Sequence, residues 1–135
     1  MFVITFLPPV RLCLITLFFM IGGIAHFLAT ERFVSIMPAY VPWRYELVLL
    51  SGVFELLGAI GVLFRATQRW AGLGLVVLCI AVFPANLNMA MHPERFNGIA
   101  PMLLYLRLPL QALIILYIAW ATRLVPRRSG AGEQR

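Results

Sequence analysis

The chain alternates long apolar segments with short polar ones, a pattern that predicts helices rather than strands. Four apolar segments are separated by connections rich in Pro, Arg and aromatic residues. About 20 apolar residues are enough for a helix to cross the hydrocarbon core of a bilayer. The predicted fold is therefore all-α, a transmembrane four-helix bundle, with spans at about 11–28, 47–64, 70–91 and 102–122.

Composition supports the same class. The 135 residues are 62% hydrophobic and only 12% charged, with a mean hydropathy of +0.93. A soluble domain of this size has too little interior to hide so much apolar surface. A soluble globular fold is therefore excluded, and the lipid bilayer is the expected partner.

The polar connections divide the chain into three regions. Residues 1–10 are read as an interfacial N-terminal lead-in, 11–122 as the membrane domain, and 123–135 as a basic, disordered cytoplasmic tail. Residues 29–46 and 92–101 are predicted to be loops, because each contains prolines that interrupt a helix.

Charge gives the predicted orientation. The net charge is +6, and all eleven basic residues are Arg, placed at the ends of apolar segments and in the tail. This distribution is typical of topology signals and not of a nucleic-acid-binding face. Seven arginines fall on the side of the termini (11, 65, 69, 123, 127, 128, 135) and four on the other (32, 44, 95, 107). The bias predicts a multi-pass protein with both termini in the cytoplasm.

Five polar residues inside the spans lie at similar depths. At 1.5 Å per helical residue, Glu55 is about 12 Å and Gln111 about 14 Å from the outer ends of their spans. By the same count Asn86 and Arg107 are about 8 Å deep, and His26 lies within a turn of the outer end. Because lipid penalises such groups, they are expected to face one polar pocket in the outer half of the bundle.

Spacing along the helices agrees with one pocket, since Ser51 and Glu55, and likewise Arg107 and Gln111, are four residues apart and share a face. Glu55 could be neutralised by Arg107, be held protonated by its apolar surroundings, or act on a ligand. His26, Asn86 and Gln111 also have structural readings: a cap for the first loop, a partner for the carbonyl that Pro84 frees, and a contact between helices.

No metal site is predicted, because the residues His26, His92, Glu55 and Met89 lack the spacing of a metal motif. The chain contains no Asp, which excludes a Ser-His-Asp triad, and Cys13 and Cys79 form no CxxC motif.

Five short motifs, spread from about 11 to 122, carry a family resemblance. They are Ala25-His26-Phe27, Met37-Pro38 with Val41-Pro42-Trp43, Ser51-Gly52-Val53-Phe54-Glu55, Val82-Phe83-Pro84-Ala85-Asn86 and Arg107-Leu108-Pro109-Leu110-Gln111. Together they resemble the DoxX-like family of small bacterial membrane proteins. Asn88 departs from the histidine expected in many relatives of this subgroup.

The resemblance implies a four-helix protein of the bacterial inner membrane. The family is named after a subunit of a thiosulfate:quinone oxidoreductase, so we expect a membrane subunit that supports quinone-linked redox chemistry, together with a partner subunit or a second copy. Glu55 and His26 are then expected to relay protons, and Asn86, Arg107, Gln111 and Ser51 to bind a quinone or another small ligand. A non-catalytic scaffold, whose polar groups fix helix packing, is the alternative, and small-molecule transport is a third.

Overall fold

Five α-helices follow one another in the computed structural model, which describes residues 8–124. Most of the predicted lead-in 1–10 and of the predicted tail 123–135 lies outside the described residues. A long helix occupies each of the four apolar segments, and one short helix is additional. The helices are α1 (Val10–Leu28), α2 (Thr30–Ile36), α3 (Arg44–Gly61), α4 (Gln68–Met91) and α5 (Pro101–Ala121), with a 3₁₀ turn at Pro93–Arg95.

Three of these helices, α1, α4 and α5, are long and apolar enough to cross a membrane. The chain is thus an all-α membrane protein with three such helices, one fewer than predicted. The difference lies in α3, whose 18 residues include three charged side chains, Arg44, Glu46 and Glu55. The first two belong to its first turn, whereas Glu55 lies well inside the helix. Whether α3 can span a bilayer therefore depends on the direction in which the Glu55 side chain points.

The prediction of a loop over residues 29–46 is wrong for its first half, which forms the short helix α2. Met37 is extended, with φ −72° and ψ 145°, because the ring of Pro38 disfavours the helical conformation in the residue before it. Helix α2 therefore ends at Ile36, and its side chains Phe33 and Ile36 turn toward the bundle. Seven residues give too little periodicity for such a helix to be recognised in the sequence.

Close packing of α1 on α3 depends on glycine. A Cβ atom at Gly23 would lie 3.1 Å from the Gly52 carbonyl oxygen, and one at Gly52 would lie 2.9 Å from Cβ of His26. Neither position has room for a larger residue, so glycine allows the two backbones to approach. Helix α3 also packs on α4, and α4 packs on α5.

The bundle has two different ends. We call the end where α1 begins and α5 ends the terminal end, and the opposite one the cavity end. At the terminal end, Nε of Arg11 donates to the Ala121 carbonyl (3.2 Å) and the Tyr117 hydroxyl donates to the Arg11 carbonyl (3.1 Å), which joins α1 to α5. The apolar core extends from this end to the middle of the bundle: Leu12, Ile15, Phe19, Ala59, Val62, Leu75, Cys79, Ile118 and Ala121.

Large apolar side chains cover the outside of the long helices. Leu17, Leu57, Leu113 and Leu116 are each at least 60% exposed. Soluble monomers rarely expose contiguous apolar surface on this scale. The outer surface is therefore suited to contact with lipid.

Candidate ligand-binding cavity

A cavity of about 580 Å³ lies at the cavity end, between the α1–α3 pair and the α4–α5 pair. Its volume falls within the range of small-molecule sites. Side chains of α2 and of the segment that follows it line the cavity on a further side. All six residues singled out in the sequence line this one cavity: His26, Ser51, Glu55, Asn86, Arg107 and Gln111. Their catalytic and ligand-binding roles remain predictions.

His26 is held in one orientation near the end of α1. It is 7% exposed, and its Nδ1 lies 3.0 Å from the Val48 carbonyl oxygen of α3. Its Nε2 lies 3.5 Å from Oε1 of Glu55. The Phe33 ring of α2 packs against the imidazole, with ring centroids 4.1 Å apart. His26 thus connects three helices and directs its second nitrogen at the carboxyl group.

The contact between His26 and Glu55 can hold one exchangeable proton. The Val48 carbonyl can only accept a hydrogen bond, so Nδ1 carries a hydrogen. The contact between Nε2 and Oε1 is then favourable only if one proton lies on one of the two groups. In either arrangement the pair is neutral as a unit, and it can give up or take a proton at the cavity wall.

Glu55 fits beside α1 because Gly22 has no side chain. A Cβ atom at Gly22 would lie only 2.6 Å from Oε2 of Glu55. The carboxyl group therefore occupies the space that any other residue would fill. Ser51, one turn earlier on α3, lines the same cavity.

On the opposite wall two amides form a chain between α4 and α5. Nδ2 of Asn86 donates to Oε1 of Gln111 at 2.6 Å, and Nε2 of Gln111 donates to the Cys79 carbonyl. Gln111 is 7% exposed. The interpretation of Gln111 as a contact between helices is confirmed. Asn86 supports Gln111 by this bond rather than serving the carbonyl of Ile80, which Pro84 leaves without its helical donor.

Arg107 is not the ion-pair partner of Glu55. Its Nη1 donates to Sδ of Met89 at 3.3 Å, whereas the ion pair of Glu55 within the described residues is with His26. The two charges belong to α5 and α3, on different walls of the cavity. The alternative in which Arg107 neutralises Glu55 is therefore wrong for this arrangement of the helices.

The rest of the cavity wall is mainly apolar. Phe18 and Phe19 of α1, Val82 of α4, and Leu110 and Ile114 of α5 all line it. Apolar walls with a few fixed polar groups are typical of sites for small organic ligands. The cavity can therefore hold a ligand with an apolar body and a polar head.

Two contributors to the site were missed in the sequence. Phe33, in the segment read as a loop, packs on His26, and Nδ2 of Asn88 donates to the Ile36 carbonyl at 2.8 Å, which ties α2 to α4. A helix over 30–36 would have placed Phe33 and Ile36 on one face, three residues apart. The bond of Asn88 ends on a backbone carbonyl and leaves no signal in the sequence.

Metal-ligating residues do not cluster in the described part of the chain, which has no group of three or more His, Cys, Asp or Glu side chains that could hold an ion. Cys79 lines the cavity and is free, and Cys13 is free and exposed on α1. The polar side chains that line the cavity can exchange protons and form hydrogen bonds, and Arg107 adds one positive charge.

Comparisons with known proteins place the chain in a family without an assigned activity. No curated protein and no solved structure is significantly similar to it. The family described as Domain of unknown function (DUF8561) matches residues 15–125, with no accompanying match to the DoxX-like family. This match includes α1 from its second turn, all of α2 to α5 and every residue of the cavity wall, so the chain belongs to the family DUF8561.

Proposed function

We propose that the chain is a four-span protein of the bacterial inner membrane, with α3 as the fourth span. Helix α3 packs against α1 on one side and α4 on the other, as a member of a bundle does. Arg44 and Glu46 sit in its first turn, where water and headgroups can reach them, and Glu55 faces the cavity and not lipid. With four spans, the arginine bias puts both termini in the cytoplasm and the cavity in the outer half.

Within that arrangement, the cavity binds a quinone or a similar small ligand, as the resemblance to the DoxX-like family also leads us to expect. The observation that carries this proposal is that polar groups stand on two facing walls of the cavity. The proton-holding pair of His26 and Glu55 stands on one wall and the amide pair of Asn86 and Gln111 on the other, with an apolar interior of suitable volume between them. A quinone has the complementary form, an apolar ring with two carbonyl oxygens.

The chemistry follows from what the residues can donate. Reduction of a quinone to a quinol takes up two electrons and two protons, and each carbonyl oxygen gains one proton. The His26–Glu55 pair supplies protons one at a time and is recharged from the outer side. The electrons come from a partner redox subunit, so the chain itself provides binding, orientation and proton transfer.

A Glu55→Gln variant tests the proposal, because Gln keeps the shape of the side chain but cannot exchange a proton with His26. We expect quinone-dependent activity to fall by about 10²-fold or more, as for loss of a positioned acid or base. Activity would be measured in inverted and right-side-out membrane vesicles with a water-soluble short-chain quinone.

Glu46→Gln is the matched control, since Glu46 is exposed in the first turn of the same helix. It should leave quinone-dependent activity unchanged. If Glu55→Gln folds normally and retains full quinone-dependent activity, the proposed proton transfer is wrong.

A scaffold is the second candidate, and one observation favours it. Within the described residues, every buried side-chain nitrogen and oxygen has a hydrogen-bond partner. Two of these bonds join helices directly: His26 to the Val48 carbonyl, and Gln111 to the Cys79 carbonyl. If the cavity only fixes packing, Glu55→Gln should lower the Tm in detergent without changing the affinity for any quinone.

A further inference from the structure

Arg107 is a cation placed well inside a membrane-spanning helix. It lies six residues after the start of α5, about 9 Å along the helix axis at 1.5 Å per residue. Charged side chains at such positions normally find a partner of opposite charge or serve a pathway for ligands or ions. The contacts of the guanidinium group therefore indicate whether Arg107 has a structural partner or a role in binding a ligand.

The protein gives this guanidinium only a weak acceptor. Arg107 has five N–H donors, and its side-chain hydrogen bond within the described residues is the one to Sδ of Met89. A thioether sulfur accepts hydrogen bonds poorly. Glu55 is the carboxylate that lines the cavity, and it is already paired with His26.

The same contact directs one nitrogen of the guanidinium toward α4, although Arg107 as a whole residue is exposed. Met89 belongs to α4 and is 2% exposed, so Nη1 of Arg107 reaches a buried atom of the neighbouring helix. A side chain that merely extended to the headgroup region would turn away from the core. Arg107 instead lines the cavity beside Asn86 and Gln111.

The charges of the cavity wall can now be added. The His26–Glu55 pair is neutral as a unit whichever group holds its proton, and Arg107 contributes one positive charge. With the proton of this pair in place, the wall of the cavity within the described residues carries a net charge of one positive unit. In surroundings of low polarity, an uncompensated charge strongly favours a ligand of opposite sign.

We propose that the cavity binds an amphipathic monoanion, with its anionic oxygens on the Arg107 guanidinium and its apolar part along Phe18, Phe19, Leu110 and Ile114. An oxyanion accepts two parallel hydrogen bonds from an arginine, which the thioether of Met89 cannot do. This inference rests on the cavity being a ligand site, as proposed above, but not on the ligand being a quinone. A carboxylate and a phosphodiester offer the same chemistry, and they can come from a soluble amphiphile or from an anionic lipid.

Binding to purified protein in a mild uncharged detergent separates these sources. The soluble arm compares octanoate with octanol, which share the apolar chain and differ in charge. The lipid arm compares phosphatidylglycerol with phosphatidylcholine by native mass spectrometry. We expect a preference for the anionic member of at least one pair. That preference should weaken by about tenfold or more in Arg107→Gln, through loss of hydrogen bonds to a charged group.

Arg95→Gln is the matched control, because Arg95 is exposed in the 3₁₀ turn outside the cavity. It should keep the preference. A preference seen only in the lipid arm identifies a lipid headgroup as the occupant, and one seen only in the soluble arm identifies a free anion. Absence of any anionic preference, or its full retention in Arg107→Gln, overturns the inference.

Two further variants keep the test decisive. If Arg107→Gln does not fold, Arg107→Lys, which retains the charge, should keep the anionic preference, and loss of the preference in a folded Arg107→Lys overturns the inference. Glu55→Gln leaves the charge of the cavity wall at one positive unit, so it should keep the anionic preference even though quinone-dependent activity is expected to fall. Quinone binding without anionic preference would overturn this inference alone.

Discussion

The two ends of the bundle use their polar side chains differently. At the terminal end, side chains donate hydrogen bonds to backbone carbonyls: Arg11 to Ala121, Thr16 to Ala59 and Thr122 to Ile118. At the cavity end, several contacts join two side chains: His26 with Glu55, Asn86 with Gln111, and Arg107 with Met89.

This difference has a mechanical consequence. At the terminal end one partner of each bond is a backbone carbonyl, whose position changes only if its helix moves. Two side chains in contact at a cavity wall can exchange a proton or accept a ligand by rotating about side-chain bonds. The terminal end therefore holds the helices together, and the cavity end can respond to what binds.

The largest effect on stability is expected at the terminal end. A Cβ atom at Gly72 would overlap the side chain of Thr122, which is fully buried. Gly72→Ala should lower the free energy of unfolding by about 3 kcal/mol, the cost of overpacking at a site with little room. Ligand binding at the far end should not change. Denaturant unfolding in detergent measures the first quantity.

Gly74→Ala is its matched control, since a Cβ atom there has no neighbour within 4 Å. Alanine in a helix interior is favoured over glycine by about 0.5–1 kcal/mol, so this variant should be as stable as the wild type or more so. Equal stability of the two variants would contradict the packing described at the terminal end.

The next effect concerns the amide wall of the cavity. Gln111→Leu leaves Nδ2 of Asn86 without its acceptor, and should destabilise the protein by about 2 kcal/mol. The double variant Asn86→Leu/Gln111→Leu should recover part of this loss, because both polar partners are then removed. Strictly additive losses in the double-mutant cycle would show that the two amides do not act as a pair.

A smaller effect on stability, about 1 kcal/mol, is expected for Gly22→Ala, because a flexible carboxyl group can move away from the new methyl group. The larger consequence is functional, since displacement of the Glu55 carboxyl group breaks its contact with His26. Quinone-dependent activity should fall although Glu55 is still present, while Gly74→Ala stays at wild-type activity. Unchanged activity in Gly22→Ala would argue against a role for that contact.

The smallest effect is expected where α2 meets α4. Asn88→Leu removes the bond to the Ile36 carbonyl and should cost about 1 kcal/mol or less. Access to the cavity should rise by a few fold, since one tie on α2 is lost. The reaction of Cys79 with a small methanethiosulfonate measures this access. In a Cys13→Ser background, the rate of labelling at Cys79 rises as the cavity becomes more accessible.

Asn97→Leu, in the exposed loop before α5, serves as the control for that measurement. It should leave the labelling rate of Cys79 unchanged. A labelling rate in Asn88→Leu equal to that of the control would mean that α2 does not limit entry to the cavity.

Much of the site could be anticipated by counting along helices. The rise per residue in a helix is fixed, so the depths of His26, Asn86 and Gln111 follow from the ends of their spans. The partner of each group could not be anticipated in this way. Depth says nothing about the rotation of a helix around its axis, and Arg107 was for that reason as good a candidate partner for Glu55 as His26.

The sequence by itself determined that this protein has an all-α fold with long apolar helices. Its apolar segments are long enough to cross a bilayer and carry few charges, which suits them to a lipid environment. It also determined which end of the bundle carries the polar groups. Only the tertiary structure decided that Glu55 meets His26, because the glycines of α1 and α3 bring those two helices together. It likewise left Arg107 facing a cavity with only a thioether as its partner. Such choices depend on helix rotation and close packing, which involve residues far apart in the chain.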